Sequence, residues 1–362
     1  MNKAVVGLIG VLALAASAVA AQEKVVNVYN WADYIGKSSL ADFTKATGTK
    51  TNYDTFTDLE TLEAKVLAGR SGYDVIVPSA EPTLRKLIAA KAVRPIDKSK
   101  VPNFKNLDPV LMQRLEVLDP GNQYGAIYQW GTIGIGINPD KVKAALPNAP
   151  LDSWKLLFDP ANAKALAKCG IVFLDSATDV LPSVFFALGF ENNSEKADEL
   201  KKVEQAMAAI RPYIKTFVPS VIDPLATGDA CVAFGYSGDV LQAATRAKEA
   251  GGKVKVDYII PKEGAALWFD TMAIPADAPH VDAAYAFINF MLDPKNIAGV
   301  SNEVQYPNAV PASAPLLDEA IRKDPRIYPT PELMGRMWVI GQVSQKADRD
   351  RTRAWTRIKT GT

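Results

Sequence analysis

The sequence predicts an α/β fold with mostly parallel sheets, and three observations predict it. Short β-rich runs alternate with amphipathic helical stretches along most of the chain. Helices rather than tight turns separate those runs, which suits crossover connections between parallel strands. The 362 residues are 48% hydrophobic and 22% charged. That fits about two domains of roughly 100–200 residues each, and it excludes collagen, a disordered tail or a disulfide-dense mini-protein.

Residues 1–21 stand apart from the fold. Lys3 is a short basic start, residues 4–20 are apolar and then small, and Ala18-Val19-Ala20 is a small-x-small cleavage pattern. This is the pattern of a secretory signal peptide, and the run is short for a membrane span. No cysteine lies near the cleavage site, so no lipid anchor is expected. Cleavage after Ala21 removes Lys3 and leaves a mature chain with balanced charge.

The elements then follow in order. Val25–Tyr29 reads as a strand and Ser38–Thr47 as a helix closed by Gly48. Leu59–Ala68 has Leu59, Leu62 and Val66 at helical spacing and ends at Gly69. Tyr73–Val77 is a strand stopped by Pro78, and Ile133–Ile137 is another. Lys196–Ile210 is a charged amphipathic helix, and Cys231–Gly235 is a strand entering a helix that begins near Asp239. Val256–Ile260 is a strand stopped by Pro261, and Val281–Leu292 is a helix followed by Pro294. No Gly/Ser/Pro linker cuts the chain in two. The chain is therefore expected to cross between domains more than once, through segments near Trp130–Ile137 and Val256–Glu263.

Several chemistries are excluded or weak. Lys+Arg is 41 against 40 Asp+Glu, a net charge of +1, so no basic surface points to nucleic acid. The single histidine, His280, excludes a multi-His metal site, and its place after Pro279 predicts a solvent-facing turn residue. Gly131, Gly134 and Gly136 lack dinucleotide-loop spacing. Gly235-Tyr-Ser-Gly238 lacks the spacing of a nucleophile elbow. No cofactor or metal set emerges. Cys169 and Cys231 are the only cysteines. An oxidising compartment favours a disulfide between them over two buried thiols. The bridge would close a loop of about 60 residues and contribute about 3–4 kcal/mol.

One constellation points to ligand chemistry. Four segments place an aromatic residue close to an aspartate beside an expected strand end or turn: Trp31-Ala32-Asp33-Tyr34, Tyr236-Ser237-Gly238-Asp239, Trp268-Phe269-Asp270, and Phe173-Leu174-Asp175 with Asp179 beyond it. Ligands of open α/β folds sit past the carboxyl ends of strands. Aromatic faces attract cations and carboxylates pair with ammonium groups. Several such pairs converging on a cleft would suit a ligand with two or more amines. Taken singly, each pair also reads as a helix-capping aspartate beside a core aromatic.

At these residues the chain resembles the bacterial periplasmic polyamine-binding proteins of ABC transporters, in particular their putrescine-binding members. The likeness is carried by Val28-Tyr-Asn-Trp-Ala-Asp-Tyr-Ile35, Tyr73-Asp-Val-Ile-Val-Pro-Ser79, Asn106-Leu-Asp-Pro109, Gly238-Asp-Val240, Pro261-Lys-Glu-Gly-Ala265 and Arg351-Thr-Arg-Ala-Trp355. The resemblance implies the type II periplasmic binding protein fold, two α/β lobes with helices on both sheet faces, hinge strands and a ligand cleft between them. Lobe 1 is expected over 22–131 plus 263–311 and lobe 2 over 132–262 plus 312–362. It implies a soluble periplasmic monomer that catalyses nothing and delivers a polyamine to inner-membrane permease subunits. It implies ligand-binding roles for Trp31, Asp33, Tyr34, Ser79, Asp179, Tyr236, Asp239, Trp268, Asp270 and Tyr306, and a Cys169–Cys231 bridge.

Departures from the family pattern mark possible specificity positions. Ala32 stands where the putrescine binders have Ser, Tyr236 where they have Trp, and Asp179 where they have Glu. Glu81-Pro82 replaces a Ser-Phe pair. Ser79 and Ser176 stand where spermidine binders carry Tyr and Asp. Glu81 is thus either an added carboxylate for a longer or guanidinium-tipped ligand, or a solvated rim charge. In the expected site, Asp239 and Asp270 meet one ammonium, Asp33, Ser79 and Asp179 receive the other, and the aromatic residues enclose the stem. The rival readings are a binder of spermidine, agmatine or cadaverine and, with less support, an exported enzyme.

Overall fold

The structure is a computed structural model that describes residues 24–361. The expected signal peptide lies outside the described residues.

A first parallel sheet has the order β2-β1-β3, from β1 (Val25–Trp31), β2 (Lys50–Phe56) and β3 (Val75–Ile76). The central β1 buries Val26 and Val28, whereas the edge strand β2 alternates polar and half-buried positions. The helices Ser39–Thr47 and Leu59–Leu67 connect its strands. Gly48, at φ 68°, closes the first in the left-handed region that glycine occupies without strain. Asp58 caps the second by accepting from the Thr61 amide. A short antiparallel pair, β4 (Val93–Arg94) and β11 (Ile274–Pro275), lies beside this sheet.

The second sheet has seven strands. Its path runs β12-β10-β5-β8-β6-β7, with β9 also paired to β5. The strands are β5 (Ala126–Ile137), β6 (Ile171–Leu174), β7 (Ile214–Val218), β8 (Val232–Tyr236), β9 (Asp257–Ile259), β10 (Ala266–Met272) and β12 (Trp338–Val339). All twelve residues of β5 are buried. Its first half pairs antiparallel with β10, from Ala126↔Met272 to Thr132↔Leu267. Its second half pairs with β8, Ile133↔Tyr236 onward, and with β9.

β5 also joins two hydrophobic cores. Ile127, Tyr128 and Trp130 belong to one, built with β1 and the helices Val281–Met291 and Pro294–Val304. Ile133, Ile135 and Ile137 belong to the other, built with β6, β8 and the helix Ala197–Ile210. Tyr236, Ile260 and Trp268 pack against both. Near the C-terminus, Leu333, Met334 and Met337 pack on the first core, while Trp355 and Ile358 of the helix Gln345–Thr360 pack on the second.

The chain differs from its sequence-based reading in several places. Trp268 and Asp270 lie inside β10, not at a strand end. The strand expected over Tyr73–Val77 is only Val75–Ile76. His280 is not a free turn residue: its amide and ring Nδ1 both meet the buried Asp74 carboxylate, Nδ1 at 3.1 Å. Cys169 and Cys231 form a disulfide with Cα atoms 5.4 Å apart.

Candidate functional site

Three carboxylates line the seam where β5, β8 and β10 meet, Asp270 buried and Asp179 and Asp239 half-buried. Asp270 comes from the middle of β10 and is 5% exposed. Asp239 lies in the first turn of the helix Ser237–Glu249, directly after β8. Asp179 lies in the first turn of the helix Ala177–Ala187, after β6. Strand-to-helix turns put both of these at the carboxyl ends of parallel strands.

Asp179 and Asp239 each accept from one serine and one tyrosine, and Asp270 accepts from one serine. Ser79 Oγ donates to Asp270 at 2.6 Å. The Tyr34 hydroxyl is buried, has no hydrogen-bond partner and lies within the field of Asp270. Tyr306 donates to Asp239 at 2.8 Å while accepting from the Asp239 amide at 3.0 Å, and Ser220 Oγ donates to the second oxygen at 3.2 Å. Tyr236 and Ser176 both donate to Asp179, at 2.7 and 2.5 Å. The Trp268 ring lies edge-on to Tyr306 at 5.1 Å and to Tyr236 at 5.9 Å, and Tyr34 meets Tyr306 at 5.6 Å.

Backbone bareness sets the aromatic positions. A Cβ on Gly238 would stand 2.2 Å from the Tyr306 ring, and one on Gly131 would stand 2.5 Å from the Trp268 ring. Both rings rest on glycine.

The electrostatics are unusual for a protein interior. Among the described residues, none of the three aspartates is in an ion pair with Lys or Arg; Arg246, the base that acts on Asp239 at a distance, is bound to Asp223. Burial raises the pKa of Asp179 and Asp239 against the hydroxyl donors that favour ionisation. Burial pushes Asp270 up to about 7, opposed by Ser79 and Tyr34 and reinforced by the charge of Asp179. Uncompensated buried charge is costly, so these carboxylates favour either a proton or a cation beside them. Among the described residues no three His, Cys, Asp or Glu side chains converge as metal ligands.

Tyr34, Ser79, Asp179, Tyr236, Asp239, Trp268, Asp270 and Tyr306 thus come together. Trp31 ends β1, half-buried against Phe56, with its indole N–H unpartnered. Asp33 does not join the buried group: it sits exposed in a left-handed turn at φ 53°, next to exposed Ala32. Ser79 was grouped with Asp33 and Asp179 at one ammonium, but it holds Asp270. Glu81 is neither a free ligand carboxylate nor a solvated rim charge. It is engaged by Arg85 through two hydrogen bonds of 2.7 and 3.0 Å, next to a cis peptide bond to Pro82. The fourth aromatic–aspartate pair splits: Phe173 is core, and Asp175 faces outward to Trp355 and Lys359.

Ser220 was missed. The available signal was a duplicated string, Val77-Pro78-Ser79 after β3 and Val218-Pro219-Ser220 after β7. In both, proline ends a strand and the serine reaches a carboxylate.

A family model described as bacterial extracellular solute-binding protein matches residues 38–330. The chain is 51% identical over 350 residues to the putrescine-binding periplasmic protein SpuD of Pseudomonas aeruginosa, covering 96% of this chain and 95% of the relative. It is 44% identical over 353 residues to the putrescine-binding periplasmic protein PotF of Escherichia coli, covering 97% and 95%. Its fold matches the spermidine/putrescine transporter substrate-binding protein PotD of Streptococcus pneumoniae with a TM-score of 0.80 at 28% identity, covering 94% and 99%. With one strand running through two cores and a polar site between them, the chain belongs to the bacterial extracellular solute-binding proteins and has their two-lobed α/β fold.

Proposed function

We propose that this protein is an exported polyamine-binding protein that takes putrescine between its lobes and delivers it to the permease subunits of an inner-membrane ABC transporter. It acts as a binder rather than an enzyme. The observation that carries the reading is the set of aspartates, buried Asp270 and half-buried Asp179 and Asp239, with no cationic side chain paired to them among the described residues. Such carboxylates stay ionised at low cost only when a cation meets them. Trp268, Tyr306, Tyr236 and Tyr34 supply an apolar, electron-rich wall for a methylene stem and its ammonium ends.

Putrescine is favoured over guanidinium-tipped ligands because Glu81, the carboxylate that argued for them, is bound to Arg85. Relatives described as putrescine-binding lend support at 51% and 44% identity. We assign lobe 1 to 22–131 plus 263–311 and lobe 2 to 132–262 plus 312–362. The passage of β5 from one core at Ile127, Tyr128 and Trp130 to the other at Ile133, Ile135 and Ile137 supports the break near residue 131, whereas Leu333, Met334 and Met337 of the C-terminal segment pack on the first core. The periplasm is the proposed location, after removal of residues 1–21, and the monomer is the proposed delivery form. Among the described residues no helix is long and apolar enough to cross a membrane.

The test strips endogenous ligand by unfolding and refolding, then records melting temperature with putrescine, cadaverine, agmatine, spermidine and spermine. A ligand at about 100 times its Kd stabilises by about 2.7 kcal/mol, a shift of roughly a few degrees. Putrescine is expected to give such a shift. No shift with any of the five overturns the reading.

A further inference from the structure

The site holds three carboxylates, Asp270 buried and Asp179 and Asp239 half-buried, whereas a diamine brings two positive charges. Asp179 is faced by Ser176 at the start of its own helix, by Tyr236 from β8, and more distantly by Glu60 from the helix Leu59–Leu67. Asp239 is faced by Tyr306, Ser220 and the distant Arg246. Asp270 is faced by Ser79, Tyr34 and the charge of Asp179. Every direct partner is a neutral hydroxyl. Among the described residues, no basic side chain forms an ion pair with any of the three that would neutralise the third carboxylate once a dication has matched two.

On the polyamine reading, we infer that the site matches its charge to the ligand with a proton: a diamine is held with one of the three aspartates protonated, and a triamine with all three ionised. Protonation is the available alternative because an unpaired charge in this setting is costly and a buried acid neutralises instead. The upward shift of all three pKa values agrees with it. The consequence is a selectivity that depends on pH. The two complexes differ by one bound proton, whatever the protonation of the empty site. By linkage, the preference for triamine over diamine therefore rises about tenfold for each unit of pH.

The test is titration calorimetry on the refolded wild-type protein with putrescine and spermidine. Each is run in two buffers of different ionisation enthalpy across roughly pH 6 to 7.5, where aliphatic amines remain charged. The expected result is that spermidine binding releases one more proton than putrescine binding, with the affinity ratio moving tenfold per pH unit. Infrared difference spectra supply the second readout. The putrescine complex is expected to show a protonated carboxyl band that is absent from the spermidine complex and from the putrescine complex of Asp179→Asn. Equal proton counts for the two ligands overturn the inference, and so does putrescine binding without any spermidine binding. Heat from neither ligand overturns the polyamine reading itself.

Discussion

Ser79 and Asp270, 191 residues apart in sequence, meet at 2.6 Å through Ser79 Oγ and also bridge through their backbones. The contact ties the end of the first sheet to the middle of β10. It supplies the donor that holds a buried carboxylate ready for a cation. Ser79→Ala removes one charge-assisted hydrogen bond, worth about 1.5–3 kcal/mol. Putrescine affinity is expected to fall by roughly tenfold to a hundredfold, and the pH midpoint for binding to move upward. Calorimetry across neutral pH checks both.

Asp239→Asn and Asp270→Asn each remove a charge partner. A lost partner of this kind costs roughly 2–5 kcal/mol of binding, so each variant should bind putrescine at least tenfold more weakly. Unchanged affinity in both would remove these residues from the ligand contact.

Stability of the ligand-free protein should depend on Asp270. Its carboxyl titrates near 7 in the folded chain against 3.8 for the ordinary side chain. A raised acid binds more protons folded than unfolded, so its stabilising effect is present below about 4 and is lost as pH rises toward about 7. The melting temperature of the empty wild type should therefore rise, relative to Asp270→Asn, as pH is lowered from about 8 to 5. Parallel melting curves for the two proteins would argue against this titration.

Gly238 carries the ring of Tyr306 against its bare Cα. Gly238→Ala must displace that ring and with it the 2.8 Å bond to Asp239. The expected loss of putrescine affinity exceeds that of Tyr306→Phe, which removes the hydroxyl and leaves the ring. Equal losses would mean that the ring position is unimportant.

The disulfide joins Cys169, just before β6, to Cys231, just before β8, across a separation of 62 residues. Closing a loop of that length contributes about 3–4 kcal/mol. The Cys169→Ser, Cys231→Ser double variant should unfold at correspondingly lower denaturant with putrescine affinity unchanged. A variant as stable as wild type would be contrary to this.

The sequence by itself determined the alternation of strands and helices, and therefore the α/β class. Leu59, Leu62 and Val66 at helical spacing and the runs at Val25 and Cys231 are local patterns that need no distant partner. It also marked the aromatic–aspartate strings, because those residue types are adjacent in the chain. Tertiary structure decided which of the marked residues meet. Asp270 pairs with Ser79 because antiparallel pairing with β5 brings β10 past the end of β3, a register no local pattern encodes. Asp175 and Asp33 turn outward, while Asp179, four residues beyond Asp175, turns inward. Whether an aspartate after a strand faces solvent or the seam between two cores depends on the turn and on what packs over it. Glu81 was read for its charge, but Arg85, one helical turn on, engages it. The withdrawal of these three carboxylates from solvent, complete only for Asp270, and the absence of a basic partner among the described residues exist only after folding.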